Sequence, residues 1–266
     1  MTGSSTFCYI YALTLQAAIL LFLAGVLGGA LNAVAGGGSF IAFPALLFAG
    51  VPAIPANATS TIALWTAAVA SGGAYRSRLN VPKRIFIPLL IVSLIGGLAG
   101  AFLLLKTPAH TFMRVLPWLT LGATLLFAFG NKLAGRRGSV LEGDTTTTAL
   151  AVATVFQLVV AVYGGYFGGG MGIVMLAMLA ALGMTDIHAM NALKSVMGGV
   201  INGVAVLAFI AAGAIYWWHG MVMIGGAIAG GYAGAHYAQK VPRAWIRWFV
   251  VLVGVGMTIY FFVKAY

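Results

Sequence analysis

Long apolar runs alternate with short polar or glycine-rich breaks along the whole of the 266-residue chain. An apolar run of about 20 residues can cross the hydrocarbon core of a bilayer as a helix, whereas a run of about 10 to 14 residues is too short. The pattern predicts ten helical segments, of which eight are long enough to span. They cover approximately residues 12–34, 39–51, 56–75, 85–105, 112–131, 148–167, 171–184, 189–213, 215–236 and 244–263.

The second and seventh segments, SFIAFPALLFAGV and MGIVMLAMLAALGM, are the two short ones. Each follows a cluster of three glycines, at residues 36–38 and 168–170, and each is followed by a second break, at residues 51–55 and 184–188. Glycine adopts backbone conformations that interrupt a helix. The pattern therefore predicts a discontinuous helix at the same place in each half of the chain.

These features indicate an internal duplication. Sliding the chain along itself by 134 residues superimposes the glycine clusters and the segments that follow the second breaks. The superimposed pairs are Gly36 and Gly170, Gly38 and Gly172, Asn57 and Asn191, Ala58 and Ala192, and Thr61 and Ser195. We predict an N-terminal repeat at residues 1–131, a cytoplasmic linker at 132–147 and a C-terminal repeat at 148–266.

Positive charges at the segment ends predict the topology. If all ten segments cross the membrane, ten Lys and Arg residues lie on one side and three on the other; if the two short segments are re-entrant, the division is eight against five and favours neither orientation. We therefore predict five crossings per half, inverted repeats and both termini outside the cytoplasm. The ten are Arg76, Arg78, Lys83, Arg84, Lys132, Arg136, Arg137, Lys240, Arg243 and Arg247, and the three are Lys106, Arg114 and Lys264.

The composition restricts the class of protein. Hydrophobic residues make up 62% of the chain and charged residues 6%, and the mean hydropathy is +1.06. A soluble domain of this length exposes too much surface for such a sequence, so we predict an all-α, polytopic transmembrane bundle. The net charge of +11 is spread over segment ends, which excludes a nucleic-acid footprint. One cysteine excludes a disulfide framework, and the first 16 residues lack the Lys or Arg of a signal peptide.

Lys194 lies in the motif MNALKS, at the start of an otherwise uncharged apolar run that ends at Gly213. A lysine near the middle of a membrane costs about 2.5–3.5 kcal/mol on insertion scales. A bound anion in a cavity would compensate this charge. The alternatives are a lysine that extends to the interface or one that pairs with Asp186.

Interrupted helices inside a membrane leave free N–H groups that favour an anion. We predict a substrate site where the two broken regions meet, with Lys194 as the counter-charge. Polar side chains also hold membrane helices together, so the amides remain open to that structural role. The other candidate ligands are the amides of Asn57 and Asn191, the hydroxyls of Thr59, Ser60, Thr61 and Ser195, and the backbones of Gly37, Gly38, Gly169 and Gly170.

No catalytic or metal centre is predicted. The three acids, Glu142, Asp144 and Asp186, fall in loops or at a helix start, which disfavours a cation substrate and a carboxylate relay. Asp186 suits a helix N-cap or a coupling role. His188 and His236 are candidate proton carriers, although a structural role is the simpler interpretation. We expect neither an enzyme nor a cofactor or metal.

The stretches GGGSFIAFPALLFAGVPAIPANATS and YGGYFGGGMGIVMLAMLAALGMTDIHAMNALKS resemble the sulfite exporter TauE/SafE family of membrane permeases. The similarity runs over essentially the whole chain. It implies a transporter of the cell (inner) membrane that exports sulfite, thiosulfate, sulfonates such as sulfoacetate, or other small organic anions. The second half departs from the first, because Ala-Leu-Lys replaces Ala-Thr-Ser, and a lysine there suits a more strongly anionic ligand.

We therefore expect a secondary transporter of a small sulfur oxyanion or sulfonate that works by alternating access. The rival interpretation is an uncoupled anion channel or uniporter that uses the same groups. The expected partners are the anion, a coupling proton or sodium ion, the lipid bilayer and a second copy of the chain in a homo-oligomer.

Overall fold

The computed structural model describes residues 14–72, 82–133, 147–181, 184, 187–237 and 243–266. These residues form ten α-helices and no strand, so the predicted all-α class is confirmed. Each predicted segment corresponds to one helix, and no end differs by more than three residues. The helices are α1 (Leu15–Ala35), α2 (Ser39–Phe48), α3 (Ala53–Gly72), α4 (Lys83–Lys106), α5 (Ala109–Leu133), α6 (Thr147–Tyr166), α7 (Met171–Ala181), α8 (Ile187–Ala211), α9 (Trp217–Tyr237) and α10 (Arg243–Ala265).

Local sequence sets where the first helix begins and ends. The Thr14 hydroxyl accepts a hydrogen bond from the Ala17 N–H at 3.2 Å and caps the start of α1. The helix ends at Gly36, which adopts a left-handed conformation with φ 76°. A side chain is strained in that conformation, so the glycine allows the chain to leave α1 and enter the short helix α2.

Three described stretches are long and apolar enough, by length and composition alone, to cross a membrane: Leu15–Ala33, Lys83–Lys106 and Ala192–Ala211. The described parts of three other helices, Ser39–Phe48, Leu150–Tyr166 and Val251–Ala265, are apolar but shorter. The prediction of eight spanning segments includes residues that the structure does not describe, so it stays a prediction. Large apolar side chains nevertheless cover the outside of the bundle; Val263, for example, is 78% exposed and Leu252 is 68% exposed. Such a surface suits lipid.

Helix packing repeats between the two halves of the chain. If α1 to α5 are matched in order with α6 to α10, the contact between α1 and α9 corresponds to the contact between α6 and α4. The contact of α3 with α9 corresponds to that of α8 with α4. Under the same matching, the contact of α3 with α8 corresponds to itself, and so does the contact of α5 with α10. Among the described helices, those that match between the halves therefore also have matching packing partners.

Glycines allow the closest of these contacts. A Cβ atom at Gly230 of α9 would overlap the backbone of Val26 in α1, and one at Gly100 of α4 would overlap the backbone of Val162 in α6. The two glycines belong to matching segments, IGGLAGA at 95–101 and AGGYAGA at 229–235, which lie 134 residues apart. Small residues let membrane helices approach until their backbones touch. The same spacing thus builds the same kind of interface twice, each time between a helix of one half and a helix of the other.

The interior differs between the halves. Around α2, the Phe43 ring packs against the rings of Phe112, Phe167 and Phe261, with centroids 5.9–6.4 Å apart. Around α7 and α8, the buried side chains are largely methionines, namely Met171, Met175, Met178, Met190 and Met197. Tyr163 of α6 packs against both clusters. Aromatic rings interlock in defined geometries, whereas methionine side chains adapt their shape.

Candidate functional site

The first break lies at residues 36–38, between α1 and α2. Gly37 and Gly38 are both buried. A side chain at Gly38 would overlap the carbonyl of Gly28 in α1 and lie 2.9 Å from the Leu64 side chain of α3. The absence of a side chain therefore lets the start of α2 sit directly between α1 and α3.

The second break lies at residues 167–170, between α6 and α7. Gly168 and Gly170 adopt left-handed conformations, with φ 73° and 72°. Gly170 is the repeat equivalent of Gly36, so both halves use a left-handed glycine at the same position. Gly169 is buried, and its carbonyl accepts a hydrogen bond from the Tyr163 hydroxyl. This bond ties the second break to the last turn of α6.

The two breaks meet in the folded protein. A Cβ atom at Gly36 would lie 3.6 Å from the Cα atom of Gly172, which is in the first turn of α7. Lys194 of α8 extends over the same place, since a Cβ atom at Gly172 would lie 3.3 Å from its Cδ atom and 3.8 Å from its Cε atom. The structure thus brings Lys194 to the place where the first break approaches the start of α7.

Lys194 is partly buried, eight residues into α8. No described residue accepts a hydrogen bond from its ammonium group or forms an ion pair with it. The acids Glu142, Asp144 and Asp186 lie outside the described residues. The first N–H groups of an α-helix lack acceptors within the helix, and Lys194 lies against the start of α7.

Asn57 joins the two halves through its side chain. It is 2% exposed, and its Nδ2 atom donates to the Tyr166 carbonyl at 3.1 Å. Tyr166 is the last residue of α6, directly before the second break. The amide therefore holds the start of α3 beside the break of the other half, and one of its N–H groups is used in that contact.

The three hydroxyls after Asn57 take part in hydrogen bonds that support the helices. Ser60 and Thr61 donate to the Asn57 carbonyl at 2.9 Å and 2.7 Å. Thr59 is fully buried and accepts a hydrogen bond from the Tyr216 N–H, directly before α9, at 3.0 Å. Their roles as substrate ligands stay predictions, but in the described structure each already has a protein partner.

The corresponding groups of the second half differ in their surroundings. Ser195 is exposed and lies next to Lys194 in the chain. Asn191 belongs to α8, but the structure does not describe its side chain or the side chains of His188 and His236. The structure therefore places Lys194 near Gly172 and Gly36, and it leaves Ser195 exposed.

Two hydrogen bonds of the folded protein were not predicted from the sequence. The first is the bond from Tyr163 to Gly169 described above; a tyrosine in an apolar helix gives no local signal for it. The second is a hydrogen bond of 2.9 Å from the Trp65 indole N–H to the Gly199 carbonyl. These two residues are 134 positions apart, so they are repeat equivalents. The repeat spacing could have identified the second pair.

A buried polar group also joins the two halves between α4 and α6. Gln157 donates from its Nε2 atom to the Ser93 hydroxyl at 2.8 Å, between α6 and α4. Ser93 in turn donates to the Leu89 carbonyl at 2.7 Å. The Gln157 Oε1 atom is buried and has no partner among the described residues. This group lies beside Met197 of α8, one turn after Lys194.

Known proteins similar to the chain are all membrane transporters by name. A family model described as sulfite exporter TauE/SafE matches residues 21–261. A "Probable membrane transporter protein" of Haemophilus influenzae is 30% identical over 244 residues, which cover 90% of this chain and 92% of that relative. The "Probable membrane transporter protein YfcA" of Escherichia coli K12 is 26% identical over 245 residues, covering 90% and 87%. No solved structure gives a significant match.

Proposed function

The chain belongs to the sulfite exporter TauE/SafE family, and on that premise we propose that it exports small sulfur-containing anions by alternating access. As a member of this family it is a multi-pass membrane transporter. The proposed substrates are sulfite, thiosulfate and sulfonates, including sulfoacetate. The proposed membrane is the inner membrane of the cell, with both termini outside the cytoplasm.

The position of Lys194 carries the proposal. Its side chain lies over Gly172, where the breaks of the two halves touch, and no described residue balances its charge. An uncompensated charge inside a membrane protein is costly and commonly marks a substrate or ion pathway. An anion held between the ammonium group and the start of α7 would balance the charge and accept from the Gly172 N–H, since the N–H groups of Met171 and Val174 already donate to Gly168 and Gly170.

The repeated helix packing supports the mechanism. Secondary transporters built from inverted repeats bind substrate at the repeat interface and expose it to one side of the membrane and then the other. Here the packing partners of one half recur in the other, and each half contains one short helix between two breaks. We propose that the two halves are inverted relative to each other and rock about the contact between Gly36 and Gly172.

Binding of the anion is tested with purified protein in detergent. Sulfite, thiosulfate, sulfoacetate, sulfate and acetate are each titrated while the thermal unfolding midpoint is measured. A ligand at 100 times its Kd stabilises the folded state by about 2.7 kcal/mol. We expect a sulfur anion to stabilise the wild-type protein selectively and to have no effect on Lys194→Met. Lys264→Met is the matched control, because Lys264 is an exposed lysine at the end of α10.

Stabilisation that is equal for all anions, or unchanged in Lys194→Met, would contradict the proposed site. Transport is then measured in proteoliposomes with radiolabelled sulfite. Flux that saturates and shows counterflow indicates alternating access, whereas flux that rises linearly with concentration indicates the channel instead.

The inverted arrangement is tested by labelling introduced cysteines in a background in which Cys8 is replaced by alanine. Single cysteines at positions 78 and 109 are expected to react with a membrane-impermeant reagent from opposite sides. Reaction of both from the same side would contradict the proposed topology.

A further inference from the structure

We infer that the anion bound beside Lys194 carries a single negative charge, so that sulfonates with one charge and bisulfite are preferred to dianions such as sulfoacetate, sulfate or thiosulfate. This inference rests on the proposed function, because it assumes that the substrate lies beside Lys194. It divides the proposed substrates by their charge: bisulfite and singly charged sulfonates are favoured, and thiosulfate and sulfoacetate are disfavoured.

Lys194 is the single interior cation among the side chains that the structure describes. The other described Lys and Arg side chains are Lys83, Arg84, Lys106, Arg114 and Lys264, all of which are exposed. Lys194 is partly buried, and its side chain lies near Gly172 of α7, which is close to Gly36 of the first break. The described interior therefore offers an anion one full positive charge.

Among the described residues, the equivalent segment of the first half, residues 57–61, has hydrogen-bonding groups but no charged side chain. The residue equivalent to Lys194 is Ser60, whose hydroxyl donates to the Asn57 carbonyl in its own helix. Thr61 donates to the same carbonyl, and Thr59 accepts from the Tyr216 N–H. None of these groups can neutralise a second negative charge on a ligand.

Charge balance then selects the ligand. In a poorly solvated site, a charge that lacks a partner is strongly disfavoured. With one lysine, a neutral ligand leaves one positive charge and a dianion leaves one negative charge, whereas a monoanion leaves none. The monoanion is therefore the ligand that the site binds with the smallest electrostatic cost.

Three sulfonates of similar length isolate the effect of charge. At pH 7.5 taurine is a zwitterion with no net charge, isethionate carries one negative charge and sulfoacetate carries two. Each is titrated against the purified protein in chloride-free Tris buffer, with gluconate as the counter-anion at one fixed concentration in every titration, and apparent Kd values are obtained from thermal unfolding. We expect isethionate to bind best and sulfoacetate to bind on the order of 100-fold more weakly. In Lys194→Met, isethionate should lose its advantage over taurine.

Sulfite provides a second measurement, because it gains a proton near neutral pH and becomes bisulfite, whereas isethionate keeps its charge. We expect the apparent affinity for total sulfite to rise between pH 8 and pH 6 relative to that for isethionate. The ratio of the two affinities cancels changes in the protein itself.

Sulfoacetate binding as tightly as isethionate, or a sulfite-to-isethionate ratio that does not change with pH, would overturn the inference and leave the anion site intact. If neither the sulfonates nor sulfite stabilise the protein, the proposed function fails together with the inference. The two failures are therefore distinguishable.

Discussion

Residues 57–61 of α3 and residues 191–195 of α8 occupy equivalent positions in the two halves, yet their polar groups are used differently. In the first segment, the Asn57 amide and the hydroxyls of Thr59 and Ser60 all have protein partners. In the second, Lys194 has no described partner and lies over Gly172. The polar groups of the first segment thus support the fold, whereas the second segment presents a charged group near Gly172 and Gly36.

The largest expected effect comes from removing this difference. Lys194→Ser gives the second segment the residue type of the first, and we expect anion affinity to fall on the order of 100-fold because the counter-charge is lost. The measurement is a thermal-shift titration with the anion that the wild-type protein prefers. Adding Ser60→Lys to this variant should not restore binding, since Ser60 is 1% exposed and bonded within α3. Restored binding would show that the two segments are interchangeable.

The next prediction tests whether the halves are equivalent as frameworks. Gly100→Val and Gly234→Val each place side-chain atoms against a neighbouring backbone, at Val162 and at Ala30. We expect each variant to lose about 1–3 kcal/mol of stability, and the two losses to be similar. Gly225→Ala is the control, because nothing lies within 4 Å of its Cβ position. A large loss of stability in only one of the two variants would argue that the contacts of α4 with α6 and of α9 with α1 are not equivalent in detergent-solubilised protein.

Tyr163 distinguishes the two breaks, because its repeat equivalent is Gly29, which has no side chain. Tyr163→Phe leaves the buried Gly169 carbonyl without its donor, at a cost of about 1–3 kcal/mol. We expect faster amide hydrogen exchange at residues 168–172 and unchanged exchange at 36–38, measured by mass spectrometry. Tyr166→Phe is the control, since the described hydrogen bond of Tyr166 uses its backbone carbonyl. Equal exchange in both variants would remove Tyr163 as a support of the break.

The smallest expected effect concerns the contact between equivalent residues of the two halves. Trp65→Phe removes the indole donor to the Gly199 carbonyl, and we expect a loss of about 0.5–1.5 kcal/mol in thermal or denaturant unfolding. The exposed Trp218 provides the control substitution to phenylalanine. A loss no greater than that of the control would mean that the hydrogen bond adds nothing to the contact between the halves.

The helices were predictable because their signals are local. Apolar runs and the glycines that end them locate α2 and α7 as short helices, and the left-handed conformations of Gly36 and Gly170 agree with the predicted breaks. Three described stretches are long and apolar enough to span, and the prediction of eight spanning segments stays a prediction for the rest of the chain. The linker and the loop acids lie outside the described residues, so those assignments stay predictions.

The candidate site was predictable only in part. A lysine in an apolar run can be singled out from the sequence because its charge is costly to place in a membrane, and Lys194 does lie near Gly172 and Gly36. The hydroxyls of Ser60 and Thr61 could not be judged in the same way, because their bonds to Asn57 compete with any role as ligands. No pattern in the sequence indicated that Tyr163 would hold the second break.

The sequence by itself determined the helices, their repetition and the presence of one interior lysine, because hydropathy, glycine clusters and a fixed spacing are properties of the chain alone. Only the tertiary structure decided which polar groups remain free. Asn57 reaches Tyr166 across 109 residues, and Gly36 meets Gly172 beneath Lys194. Such contacts depend on how closely the helices approach, and that distance is set by packing of the whole bundle.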